Sequence, residues 1–227
     1  ENEFIRASIL GWALAPQIFP DTECAGQSFY VLIPGIHTYG SAIPRGGSQM
    51  MPNAFARLIE ARGGRVMAGS PISQFIVCEG ECKGFRLEDG TEMLADKAVV
   101  TGLGPKVSFL DCCRSEDLPP DFIDACRRFS YGRVSICRVH YALNEAPVWN
   151  NGKDMSACAF QRVFHSFSDI DQQYGEIVAG VAPTRPFLWV ACWTTIDPSR
   201  APEGKHTLIM DTFVPSHLAS GESWHDL

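Results

Sequence analysis

The stretch "PRGGSQMMPNAFARLIEARGGRVMAG", Pro44 to Gly69, carries a glycine pair at each end of a helical pattern. Met51, Phe55, Leu58 and Ile59 recur at i, i+4, i+7 and i+8, one face of an α-helix. Ser48 is a candidate cap and Pro52 a candidate first-turn residue, and the residues leave both open. Gly63-Gly64 supplies a left-handed stop. The question for the fold is whether Gly46-Gly47 also cradles phosphate. A dinucleotide cradle needs G-x-G-x-x-G between a buried strand and a helix, so that bare amides reach the pyrophosphate. "SAIPR" is not a buried strand, and Gly-Gly-Ser-Gln-Met-Met lacks the later glycines. Gly102-x-Gly104 does follow an apolar run, Ala98 to Thr101, but Pro105 comes next and the third glycine is missing. Both sites read as chain-turning glycines.

Beyond the helix the pattern changes to short strands. "RVMAG", "ISQFIVC", "CKGFRLE" and "TEMLA" follow one another, with a tight turn at Glu79-Gly80-Glu81 and a hairpin signal at Asp89-Gly90. Asp-Gly between alternating runs is a strong hairpin signal, since both turn positions need positive φ. "AVVT" closes this unit as an apolar strand. Further on, "LPPDFIDACRRFSYG" predicts a helix entered through Pro-Pro, and "VSICRVHYALN" alternates like a two-faced strand. "SFSDIDQQYGEIVAG" predicts a helix capped by Ser168 and ended by Gly180. "FLWVACWTTID" and "HTLIMDTFVP" predict apolar strands around the loop "PSRAPEGK". Strands with few helices between them indicate an antiparallel sheet. The fold class is therefore α+β.

Composition narrows the function classes. The 227 residues are 45% hydrophobic and 20% charged, with a net charge of -7, which excludes a nucleic-acid surface built on clustered Lys and Arg. No run of eighteen apolar residues spans a bilayer, and the acidic, amphipathic start "ENEFIRASIL" does not fit a secretory signal. Nine scattered cysteines favour free thiols in a reducing intracellular compartment over a disulfide scaffold. Cys78 and Cys82 have metal-like spacing without a second pair, so no metal site is expected.

The order of these pieces resembles the middle of the phytoene dehydrogenase-like flavoprotein oxidoreductases, within the wider amine-oxidase-type FAD superfamily. The pieces are Gly-Gly, helix, "GGRV", strand, Asp-Gly hairpin and "ADKAVVTG", then "FLDCCRSEDLPPDF". After these comes the run from "SFSDIDQQYGEIVAG" through "TTIDPSRAPEGKHTLIM". The resemblance is clearest from Pro44 to Ser220. Family members open with a G-x-G-x-x-G turn that holds the FAD diphosphate and end with a second flavin segment; this chain has neither and reads as the central part of such an enzyme. The resemblance implies a helical substrate-domain segment over 1–45, an FAD-domain portion over 46–105, and a substrate-binding domain with a mainly antiparallel sheet over 106–227.

It also implies FAD in the parent protein, which this chain alone is not expected to retain. Ser70, Pro71 and Ile72 match the strand entry that contacts the adenine, with Ile72 foremost. Gly46 and Gly47 match the pair leading back into the FAD domain near the isoalloxazine, and Thr101 and Gly102 match the end of the strand rejoining the central sheet. Expected partners are an apolar, isoprenoid-like substrate and the remaining segments of the flavoprotein or a self-association partner, with peripheral membrane contact as an open alternative. The competing reading is a non-catalytic interaction module or subunit of the same fold that has lost the cofactor. His140 and His165 are candidate proton shuttles set against ordinary structural histidines, and His37 is placed in a loop before Gly46. Phe187, Trp189 and Ala191 are expected on one strand face, with Leu188, Val190 and Cys192 on the other, one face packing a core and the other facing the cavity or a partner. Catalytic residues stay unassigned, since no G-x-S-x-G or comparable motif is present. Cutting a parallel sheet is expected to leave edges at Ala98–Thr101 and around Val66, whereas the sheet of Val134–Leu143, Phe187–Ile196 and His206–Val214 is expected to be nearly complete.

Overall fold

The computed structural model describes residues 26–150, 158–164 and 166–225, together with 2, 3, 5, 6, 9, 10 and 23. Backbone contacts group the chain into two units, one of residues 1–55 with 132–227 and one of 56–131. The class is α+β. Helix α1 spans Gln27–Tyr39 and keeps Pro34 inside it, ending where the Gly40 amide returns to the Ile36 carbonyl at 2.8 Å. The glycine- and proline-bearing segment read as a loop is thus helical, and His37 lies in its last turn. Proline removes one ladder bond there without ending the helix. Helix α2 spans Met50–Ala61, with Pro52 in its first turn. It closes with paired bonds from Gly63 to Glu60 and from Gly64 to Ile59, both 2.9 Å, with Gly63 at φ +82. That is the glycine stop expected of this sequence.

The 56–131 unit holds a three-stranded antiparallel sheet in the order β1 (Ile72–Cys78), β2 (Glu81–Leu87), β3 (Glu92–Leu94). The tight turn between β1 and β2 has consecutive positive φ at Glu79 (51°) and Gly80 (77°), the geometry that matches strand twist. At the second hairpin only Gly90 is left-handed, at φ 87°. Its amide donates to Leu87 O at 3.0 Å, and the Asp89 carboxylate accepts from Thr91 N at 2.9 Å. Three loop residues, rather than two, put a type I turn before the left-handed glycine, so Asp89 needs no positive φ. The segments around Val66 and Ala98–Thr101 belong to no strand, and Val100 is 93% exposed. Among the described residues no neighbouring strand is available for the parallel pairing expected of them. The free edge of β1 is instead met by Cys112, whose carbonyl accepts from Phe75 N at 2.7 Å. Phe75, Leu87, Cys112, Ile123 and Cys126 are the buried hydrophobic residues of this unit. Helix α3 (Pro120–Arg128) contributes the last two, with Pro120 and Asp121 in its first turn and Arg127 and Arg128 in its last, each on the dipole-favoured end.

The other unit carries a four-stranded antiparallel sheet in the order β4 (Val134–Leu143), β7 (His206–Pro215), β6 (Leu188–Ala191), β5 (Phe160–Val163). Strand β5 has no counterpart in the sequence reading. Strand β6 ends at Ala191, before Ile196: the Cys192 amide makes one more bond, to Ala159 O, and a 3-10 turn then follows over Trp193–Thr195. Phe187, Val190, Ala191 and Cys192 are all buried, so both faces of this inner strand pack, and the expected division into a core face and a cavity face does not hold. Helix α4 (Phe167–Val178) is capped by Ser166, not Ser168. Ser166 has the extended backbone of a cap, and its hydroxyl accepts from Asp169 N at 3.2 Å; Ser168 is already inside the first turn.

One buried side chain welds α4 to the sheet. Gln173 is 3% exposed. Its amide donates to Phe213 O at 2.8 Å and Thr212 Oγ1 at 3.0 Å, while its oxygen accepts from Phe187 N at 2.7 Å. Beside it, Ile170 and Phe187 form a core joined by Leu10, Phe164, Phe167 and Trp189. Replacing Gln173 by Leu strands a buried amide and a buried carbonyl, so Gln173→Leu is expected to cost about 2–4 kcal/mol. Conversely Glu79→Gly relieves a left-handed non-glycine residue and is expected to gain up to about 1 kcal/mol. Urea unfolding of the two variants beside the parent chain measures both.

Candidate functional site

Pro44, Arg45, Gly46 and Gly47 form a reverse turn in which Gly47 N donates to Pro44 O at 3.2 Å. Gly46 occupies its third position at φ +83 and Gly47 follows at φ +105, a region an L side chain enters only with strain. A side chain on Gly46 would press on Met50, whereas a Cβ on Gly47 would meet no atom within 4 Å. Gly47 therefore offers bare backbone on an open side.

This turn is clamped from far along the chain. Asp197, at the head of the short 3-10 turn Pro198–Arg200, accepts the Gly46 amide at 2.7 Å. Its carboxylate also takes the Ser199 hydroxyl at 2.5 Å and Arg200 Nε at 3.0 Å, and Arg200 Nη2 reaches on to Pro44 O at 2.6 Å. Asp197 and Arg200 are both largely buried, at 9% and 13% side-chain exposure, so the pair is little screened. The Ser199 hydroxyl, then the Gly46 amide, then Arg200 hold the Asp197 carboxyl at a pKa of about 2. Ile43, Arg45, Ile196, Asp197, Pro198 and Ser199 line a cleft of about 490 Å³ beside the turn. Asp197 and Arg200 were missed as site residues by sequence reasoning. Their one signal in the sequence is the loop "DPSRAPEGKH", which carries the family resemblance by its order along the chain.

The remaining candidates separate. Ile72 at the head of β1 and Gly102 line one apolar trough of about 440 Å³ in the 56–131 unit, together with Phe75, Phe85, Val99 and Thr101. Pro71, just before β1, uses its carbonyl to accept from Glu88 N at 3.0 Å. Gly46 and Gly47 belong to the other unit. His140 lies exposed on β4, and His165 falls outside the described residues. A different histidine is engaged: His206 Nδ1 lies 3.0 Å from the hydroxyl of buried Thr194. Phe160 and Trp193 stack at 6.1 Å, and Trp189 meets Phe160 and Phe213 edge-on at 5.8 and 5.6 Å. Among the described residues no group of three or more His, Cys, Asp or Glu is arranged to hold a metal ion, and no helix is long and apolar enough to cross a membrane.

The clamp has a defined pH range. A carboxyl whose folded pKa lies below the unfolded value of about 3.9 contributes its full stability above that value, and loses it as pH falls towards the folded value. Since Asp197 titrates at about 2 in the fold, the clamp is expected to stay intact through neutral and mildly acidic pH and to weaken between about pH 4 and pH 2. Asp197→Asn removes the charge at every pH and is expected to speed amide exchange at Gly46 by about tenfold. Exchange measured by NMR on the two proteins checks both statements.

Comparison with known proteins places this geometry in a family. The model of the flavin containing amine oxidoreductases matches residues 14–224. The chain is 23% identical over 245 aligned residues to the mouse (Mus musculus) pyridine nucleotide-disulfide oxidoreductase domain-containing protein 2, covering 100% of this chain and 41% of that protein. It is 24% identical over 205 residues to the neurosporene-forming phytoene desaturase of Rhodobacter capsulatus, covering 87% of this chain and 37% of the relative. The chain thus spans well under half the length of the curated relatives it matches. A solved protein from Pyrococcus furiosus shares the fold with a TM-score of 0.60 at 16% identity, over 97% of this chain and 48% of that one. With the match running from before α1 to beyond β7, this chain belongs to the flavin-containing amine oxidoreductase family.

Proposed function

We propose that the chain is the central part of an FAD-dependent oxidoreductase of the dehydrogenase or desaturase type, acting on an apolar, isoprenoid-like substrate. The observation that carries the reading is the Gly46-Gly47 turn. Its backbone is bare at Gly47, held in a left-handed conformation, and clamped by Asp197 and Arg200. A rigid strip of main chain without side chains suits the close approach of a flat ring system. The kinship with a phytoene desaturase supports the substrate class.

Two sets of residues fit parts of FAD. Ile72 and Gly102 line an apolar trough that suits an adenine ring, with Pro71 at the head of the strand. Gly46 and Gly47 fit the isoalloxazine end. Neither set presents the free amides of a helix N-terminus that a diphosphate requires. The Gly46 amide is committed to Asp197 and the Gly47 amide to Pro44. A bound flavin would supply the redox chemistry, which calls for no acid or base from these residues. The work left to this chain is to position and to exclude water. Asp197, ionised to about pH 2, is too weak a base to abstract a proton at neutrality and serves as the anchor of the turn.

The test uses the complete natural polypeptide that carries this chain. It is expected to purify with a flavin absorption band that denaturation releases as FAD. A Gly47→Val variant, which adds a branched side chain where backbone is now bare, is expected to lose most of that flavin while keeping its circular dichroism. A folded parent with no flavin and no affinity for FAD would sink the reading in favour of a non-catalytic module of the same fold. The 227-residue chain alone is expected to give no saturable change in flavin fluorescence below high micromolar FAD.

A further inference from the structure

At the start of α4 lies a cavity that shares no lining residue with the cleft beside Gly46. Val163, Phe164, Asp169, Arg185, Pro186 and Phe187 enclose about 440 Å³, all of them in the unit of residues 1–55 and 132–227. Small-molecule sites run from about 300 to 1,000 Å³, so the space suits a compound of one ring or two. Its walls are mainly apolar. Val163 ends β5, and the rings of Phe164 and Phe187 meet with centroids 5.9 Å apart. Phe187 packs on Ile170 in the buried core, so one wall of the cavity is the core itself.

One group in this lining has bonding capacity to spare. Asp169 is 9% exposed, and it is the one lining side chain that can accept a hydrogen bond. Its Oδ1 accepts from Arg185 Nη1 at 3.5 Å, the long end of the range. Its Oδ2 is buried and, among the described residues, accepts from none. In a capping box an acid three residues after the cap reaches back to the cap amide, and Oδ2 does not make that bond to Ser166. A buried anionic oxygen without a donor is unfavourable, so the cavity calls for an occupant that donates. Charge selects among donors. Arg185 stands beside Asp169 with its side chain 67% exposed, and the two charges offset one another. A cationic occupant would be repelled by the guanidinium and an anionic one by the carboxylate. A neutral donor meets neither penalty.

We propose that this cavity binds a small neutral ring compound that carries a hydroxyl, of the phenol type, its O–H donating to Asp169 Oδ2 and its ring packing against Phe164 and Phe187. A phenol stays protonated at neutral pH, so it satisfies the buried oxygen and adds no charge. Its ring meets the two phenyl groups in the offset or edge-on contacts that aromatic pairs favour. A hydrogen bond to an ionised acceptor is about twice as strong as a neutral one, which makes Asp169 the residue that selects for the hydroxyl. The site uses neither the Gly46-Gly47 turn nor the trough at Ile72, so it stands independently of the flavin reading.

The complete natural polypeptide is titrated with para-fluorophenol and followed by fluorine NMR. Saturable one-to-one binding is expected. Para-fluorotoluene, a similar ring without the donor, and para-fluorobenzylamine, a similar ring carried by a cation, are each expected to bind at least about tenfold more weakly. Asp169→Asn keeps the shape of the side chain and removes its charge. It is expected to weaken the phenol about tenfold and to leave the toluene unchanged, a difference that a merely deformed cavity would not produce. Val163→Trp fills the space from the partly exposed end of β5 and is expected to abolish binding with Asp169 intact, so the test does not depend on the first variant folding. No saturable binding to the complete polypeptide would overturn the proposal and leave Asp169 Oδ2 to a water or to another segment of the same molecule. Binding insensitive to both variants would overturn it by placing the phenol elsewhere. A preference for the amine would overturn it by making Asp169 a cation site.

Discussion

A single carboxylate holds together two stretches that lie 151 residues apart. Asp197 takes the Gly46 amide and, through Arg200, the Pro44 carbonyl, so a flexible glycine turn becomes a defined surface. Loop closure over that separation costs entropy that a lone surface ion pair would not offset. The arrangement works because every partner is charge-assisted or a backbone group, and because Asp197 and Arg200 are nearly out of solvent. The reading of the turn as a flavin-facing strip depends on this clamp.

The same economy runs through the sheet of β4 to β7. Gln173 makes three buried bonds with one side chain and ties α4 to β7 and to the residue before β6. Around it the aromatic rings of Phe160, Phe187, Trp189 and Phe213 meet mostly edge-on, the arrangement their quadrupoles favour. Packing is dense at β6 and falls away towards β4, which is buried by neither face. Helix α2 has no buried residue, although Met51, Phe55, Leu58 and Ile59 form a clear apolar stripe. Apolar surface left bare in this way marks contact surfaces.

Much of this was legible in the residues. The stripe from Met51 to Ile59 and its glycine stop determined α2, because helix periodicity and left-handed glycine are local properties. Alternation and apolar runs between turn signals located β1, β2, β4 and β7, and the ordered resemblance identified the family. Local chemistry also set the limits of that reading. Asp89-Gly90 and Glu79-Gly80 both signal turns, but which one takes two positive φ angles depends on loop length, and that follows from the register of the strands. Ser166 and Ser168 are equally good caps by type, and only the backbone conformation distinguishes them.

What the tertiary structure alone decided lies in long-range pairing. Val66 and Ala98–Thr101 have the composition of strands, yet a strand exists only where a neighbour completes its hydrogen bonds, and none does so among the described residues. The clamp on Gly46 is invisible in sequence because neither "PRGG" nor "DPSR" signals the other; their meeting is a consequence of how the chain returns after β6. The place of β4 has the same origin. The sequence by itself determined that Val134–Leu143 is a strand with two usable faces. Only the order β4-β7-β6-β5 put it at the margin of the sheet among the described residues, with a partner strand on one side alone.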